Sequence, residues 1–85
     1  MARVEIYTRM FCGYCAGAKR LLDAKQVSYE EYDITMGGPR RAEMIQRAQG
    51  RTSVPQIFID GAHVGGCDDL HALERDGRLD PMLGA

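Results

Sequence analysis

The hydrophobic pattern changes period several times along this chain. Val4 to Thr8 (Val-Glu-Ile-Tyr-Thr) roughly alternates and is rich in β-branched and aromatic residues, which predicts a first strand. From Tyr14 the residues turn to Ala, Lys, Arg and Leu. Ala18, Leu21, Leu22 and Lys25 recur at three- and four-residue spacing, the pattern of a helix with one apolar face. Val27 to Asp33 alternates again and reads as a second strand. A strand, helix and strand in the first third of a chain favour a parallel pair joined by a right-handed crossover.

Met36-Gly37-Gly38-Pro39 breaks the pattern, and Pro39 suits the first turn of a helix, where its missing N–H is not needed. Arg40 to Gln49 predicts that helix, with Ala42, Ile45 and Ala48 inward and Gly50 as its stop. Gln56 to Asp60 and Ala62 to Val64 are short apolar runs around Asp60-Gly61, a strong hairpin signal. Cys67, Asp68 and Asp69 then lead into a helix carrying Leu70 and Leu73 and closed by Gly77. Leu79 to Leu83 reads as a short turn or helical stub. The order β-α-β-α-β-β-α implies an α/β fold, a four-stranded mixed sheet with helices on both faces.

Eighty-five residues make one expected domain, 1–85, with room for one core. Eleven basic side chains face twelve acidic ones, so no positive excess supports nucleic-acid binding. No apolar run approaches the ~20 residues of a membrane-spanning helix, and the first residues lack the pattern of a secretory signal. The expected setting is the cytoplasm. Three cysteines, an odd number, fit a disulfide framework poorly, and a close pair in a reducing compartment points to metal binding or catalysis.

Cys12-Gly13-Tyr14-Cys15 sits where a strand gives way to a helix. Thiol–disulfide exchange needs a thiolate, and a helix N-terminus, with unpaired N–H groups and partial positive charge, favours one. Cys12 at the helix start gains most from this, and Arg9 adds a positive charge nearby. Cys15 lies about one turn on and more covered, within reach of a mixed disulfide on Cys12. Cys12 is therefore the candidate nucleophile and Cys15 the resolving cysteine. The competing readings are a zinc site drawing on Cys12, Cys15, Cys67, His63 and His71, and a pair that merely packs in the core.

Two further segments carry candidate chemistry. In Ser53-Val54-Pro55, the proline either simply opens a strand or leaves the Val54 backbone unpaired at an edge, ready to pair with a peptide-like ligand. In Gly65-Gly66-Cys67-Asp68-Asp69, Asp68 is either a helix cap or a partner for an ammonium group. The two glycines permit close backbone approach, and helix N–H groups suit a carboxylate. A ligand with both groups on one carbon matches the second reading. Cys67 reads as a small, partly buried thiol.

Together, Tyr7-Thr8, the CxYC motif at Cys12 to Cys15, Ser53-Val54-Pro55, Ile57-Phe58-Ile59-Asp60 and Gly65 to Leu70 resemble the bacterial class I (dithiol) glutaredoxins over essentially the whole chain. The resemblance implies a thioredoxin-like fold with Pro55 in cis facing the active site. It also implies a disulfide oxidoreductase that uses glutathione to reduce glutathionylated and disulfide-containing proteins, expected to be a monomer. On that reading Arg9 meets the glycine carboxylate of glutathione and Tyr14 flanks its cysteinyl part. Val54 pairs with its backbone, and Cys67 and Asp68 hold the γ-glutamyl end. Pro55 and Gly66 belong to the same glutathione-binding set, and Thr52 and Ser53 are lesser contacts. Two residues depart from the family pattern. Ser53 replaces threonine and keeps the hydroxyl. Gly13 replaces proline and loosens the backbone between the cysteines. Some glutaredoxins without that proline bind a [2Fe–2S] cluster between two subunits through the nucleophilic cysteine, here Cys12, with a glutathione from each. That makes a cluster carrier the alternative; no other metal site is expected.

Overall fold

A computed structural model describes residues 2–84 of the chain; Met1 and Ala85, the outer bounds of the expected domain, lie outside the described residues. Four strands form one sheet in the order β2-β1-β3-β4: β1 (Val4–Thr8), β2 (Tyr29–Asp33), β3 (Gln56–Ile59) and β4 (Ala62–Gly65). β1 and β2 run parallel, in register from Val4 opposite Tyr29 to Thr8 opposite Asp33. β1–β3 and β3–β4 are antiparallel, with an irregularity at Ile57/Phe58. Helices α1 (Gly13–Ala24), α2 (Pro39–Arg47), α3 (Cys67–Arg75) and α4 (Leu79–Leu83) complete the fold. The expected Leu79–Leu83 stub is a helical turn that adds an α4 to the predicted order, because Leu79 and Leu83 both find the core.

The sheet has an apolar cluster on each face. Val4, Ile6, Ile57 and Ile59 pack with Ala18 and Leu22 of α1, Leu70 of α3 and the two α4 leucines. Tyr7 and Phe58, pointing the other way, pack with Ile34, with Met44 of α2 and with Ala48 just after it. All five residues of β1 are consequently buried, Glu5 and Thr8 included. Glu5 is compensated by Arg47, whose guanidinium donates to both its oxygens, at 2.9 and 3.2 Å.

Three helices end alike. In α1 the Val27 N–H donates to the Leu22 carbonyl and the Gln26 N–H to that of Asp23, with Gln26 at φ 58°. This is the paired closure with one left-handed residue that terminates many helices. The same pattern recurs around Gln49 after α2 and Gly77 after α3. It explains two corrections. Val27 is engaged in closing α1, so β2 begins at Tyr29 and not at Val27. The turn stopping α2 is made at Gln49, with Gly50 one place beyond. A third correction is Ala42, which is exposed, while Met44 is buried and Ile45 half-buried. At about 100° per residue Ala42 lies some 200° from Met44, on the solvent side.

Candidate active site

The loop from β1 to α1 sets the cysteines. Its Met10 N–H donates to Thr35 Oγ1 at 2.9 Å, and the Ile34 N–H donates to the Thr8 carbonyl, so two neighbouring loops are tied together. Phe11, at φ 56°, stands fully exposed beside the motif. Cys12 then takes an extended conformation as the N-cap of α1, and its Sγ accepts the Cys15 N–H at 3.1 Å. The sulfur thus does what a Ser or Asp oxygen does at other helix starts. Cys12 is half-buried and Cys15 buried. Burial, then the hydrogen bond with Cys12, pushes the Cys15 thiol up to about 12. Cys15 therefore rests as a neutral thiol.

The Val54–Pro55 peptide is cis, and Pro55 is buried. The Val54 carbonyl lies 3.9 Å from Cys12 Sγ. Neither its N–H nor its C=O has a backbone partner among the described residues. Tyr14, Ser53, Val54, Pro55, Gly66, Cys67 and Asp68 line one groove of about 160 Å³, joined there by Asp69. Of the remaining predicted residues, Arg9 lines a second cleft along with both cysteines, and Thr52 is exposed and lines neither.

At the α3 end of the groove the structure separates two aspartates that sequence treats alike. The N-cap is Gly66, whose N–H donates to Asp69 Oδ2 at 2.8 Å. The cap role expected as one reading of Asp68 thus falls to Asp69, because only the third residue of the first turn reaches back to the cap N–H. The Asp68 carboxylate is exposed and has no hydrogen-bond or ion-pair partner among the described residues. Burial and the Asp68 charge push the Cys67 thiol up, which keeps it neutral. Its Sγ lies 3.4 Å from His71 Nδ1, and Gly17 of α1 leaves room for it.

Two contributors escape a reading by sequence. Gln56 is fully buried, and its amide donates to the Ser53 carbonyl at 3.0 Å while its oxygen meets His63 Nε2 at 2.7 Å. It braces the loop that carries Val54; a lone glutamine opening an apolar strand is the only trace of this in the sequence. Arg51 Nη1 sits 3.6 Å from Asp69 Oδ2 and brings a cation to the groove's edge. Among the described residues, Cys12, Cys15, Cys67, His63 and His71 do not gather into a metal-binding group. For a [2Fe–2S] cluster the fit is partial, since the chain brings one half-exposed thiol, Cys12, and the remaining ligands must come from outside it.

The family model for Glutaredoxin matches residues 4–64. Glutaredoxin 3 of Escherichia coli K12 is 58% identical over 83 residues, which cover 98% of this chain and 99% of that protein. The chain belongs to the glutaredoxin family. Glutaredoxins are glutathione-dependent thiol–disulfide oxidoreductases, and this one is an enzyme of that class. Solved structures agree on its thioredoxin-like fold. Glutaredoxin from Brucella melitensis matches with a TM-score of 0.84 at 53% identity, covering 98% of this chain and 89% of that one. A buckwheat glutaredoxin–glutathione complex matches with a TM-score of 0.87 at 32% identity, covering 98% and 77%. No helix of this glutaredoxin, among the described residues, is long and apolar enough to cross a membrane.

Proposed function

We propose that Cys12 is the nucleophile of this enzyme, Cys15 its resolving thiol, and the groove from Tyr14 to Asp68 the seat of glutathione. The observation that carries the reading is the cap at Cys12: the sulfur sits on the helix tip, receives a backbone N–H, and neighbours the Val54 carbonyl. With a glutathionylated protein, the Cys12 thiolate attacks the glutathione sulfur, the protein thiolate leaves and takes a proton, and glutathione stays on Cys12. A second glutathione then displaces it as glutathione disulfide. With a protein disulfide, Cys12 forms a mixed disulfide, and Cys15 attacks it to free the substrate's second thiol. Two glutathiones reduce the resulting Cys12–Cys15 bond.

Each contact has its chemical support. The unpaired Val54 backbone suits strand-like pairing with the ligand's own amide groups. The α3 N-terminus suits the γ-glutamyl carboxylate and the free Asp68 its ammonium. The Tyr14 ring, exposed beside Val54, suits the cysteinyl part, and the Cys67 backbone and Gly66 allow close approach. Arg9 offers a cation for the glycine carboxylate from the cleft on which Cys12 also opens. Ser53 contributes at the groove wall and Thr52 beside it. Protein disulfides and glutathionylated proteins are the proposed partners of a single-domain, cytoplasmic monomer.

Two variants test the roles. Cys15→Ser is expected to keep turnover of a small glutathione mixed disulfide and lose most protein-disulfide reduction, while Cys12→Ser loses both. Turnover surviving in Cys12→Ser would remove it as the nucleophile.

A further inference from the structure

The reaction leaves one difficulty: Cys15 is buried and neutral at rest, yet resolution requires it to attack as an anion. The groups bearing on it are few. The Cys12 side chain opposes ionisation, and the Arg9 backbone and the Lys19 charge favour it. Lys19 lies four residues after Cys15 on α1, one turn along the same face, where side chains come within about 5–6 Å at Cβ. It is held there from outside the helix. Its Nζ is 3.1 Å from Glu31 Oε2 of β2, and the Thr8 hydroxyl at the end of β1 donates to the same oxygen at 2.7 Å. Lys19, Glu31 and Thr8 line one cleft of about 380 Å³ with both cysteines.

We propose that Lys19 is a positioning residue for resolution: its ammonium, tethered one turn from Cys15 by a Glu31 that Thr8 in turn holds, steadies the negative charge Cys15 carries as it attacks. In that step the Cys15 thiol gives its proton to solvent, and its sulfur bonds to Cys12 Sγ. The bond between Cys12 and the departing sulfur breaks, and the departing thiolate takes up a proton, so electrons and protons balance. A fixed cation on α1 acts on the second cysteine from outside the groove lined by Tyr14, Val54 and Asp68. The inference rests on the resolving role proposed for Cys15.

Rapid mixing of the reduced enzyme with glutathione disulfide separates the steps. The first glutathione is released when Cys12 attacks, the second when Cys15 displaces the one left on Cys12. Lys19→Met is expected to slow the second release about fivefold, the scale of one partly screened charge, and to leave the first within about twofold. Lys19→Arg is expected to restore the second phase, and Lys19→Gln, milder toward folding, to repeat the defect. An unchanged second phase, or equal slowing of both, overturns the role of Lys19. Cys15→Ser separates the two failures. It should release a single equivalent, and two equivalents from it would refute the resolving role of Cys15 itself.

Discussion

Asp68 and Asp69 are adjacent and chemically identical, and their positions on the first turn of α3 divide the labour. Asp69 reaches back to the Gly66 N–H, and losing such a cap costs about 1 kcal/mol. Asp69→Ala is therefore expected to lower the melting temperature by about 4–8 °C in a protein of this size. Asp68→Ala leaves the cap alone and should raise the KM for glutathione about fivefold with little change in melting temperature. Measuring both quantities in both variants checks the division, and an exchanged outcome would reassign the roles. This distinction was not legible in the chain, because a helix start localises the acidic pair only to within a residue or two. The cysteines were legible, since CxxC at a strand–helix junction is a local motif whose consequences are local. Arg51 and Gln56 were not: their work depends on Asp69, Ser53 and His63 arriving from other elements.

At the scale of elements, α1 shows what Gly13 leaves undone. Gly13 is the first helical residue, a Cβ there meets nothing within 4 Å, and Cys12 before it is extended at φ −113° and ψ 108°. Three conditions for proline are met: the N1 position, open space at the Cβ, and a preceding residue outside the helical region. Gly13→Pro is expected to stabilise the reduced protein by about 0.5–1 kcal/mol, read from urea denaturation, by restricting the unfolded chain. On α2, Met44 is fully buried where Ala42 had been expected. Met44→Ala should therefore cost about 2–4 kcal/mol and Ala42→Ser almost nothing. The strands, the hairpin and α1 were readable because period and turn residues agree there. On α2 a sparse apolar pattern admits two faces, and packing on Tyr7 and Phe58 makes the choice.

Across the whole molecule, the charged network on the α2 face links stability to pH. The Arg47 guanidinium, beside and bonded to Glu5, holds its carboxyl below the ordinary value of 4.5 despite burial. A depressed carboxylate stabilises the fold fully above its unfolded pKa and progressively less as pH falls through the folded one. Stability should thus decline from about pH 4.5 downward, and Glu5→Gln should flatten that limb in urea titrations at several pH values. The cap at Cys12 links stability to electrons in the same way. Whenever Cys12 is ionised, its sulfur at the tip of α1 accepts the Cys15 N–H strongly; the same sulfur bonded to Cys15 is a neutral, weaker acceptor. The first turn of α1 is thus better satisfied when the protein is reduced and Cys12 ionised, against which the short Cys12–Cys15 loop restricts the unfolded oxidised chain. Folding and redox states form one thermodynamic square. The difference in unfolding free energy between oxidised and reduced protein equals the difference in reduction free energy between unfolded and folded chains, with about 30 mV for each 1.4 kcal/mol. Two denaturation curves therefore measure how far the fold, acting through one helix end, displaces this disulfide from the potential it has in the unfolded chain.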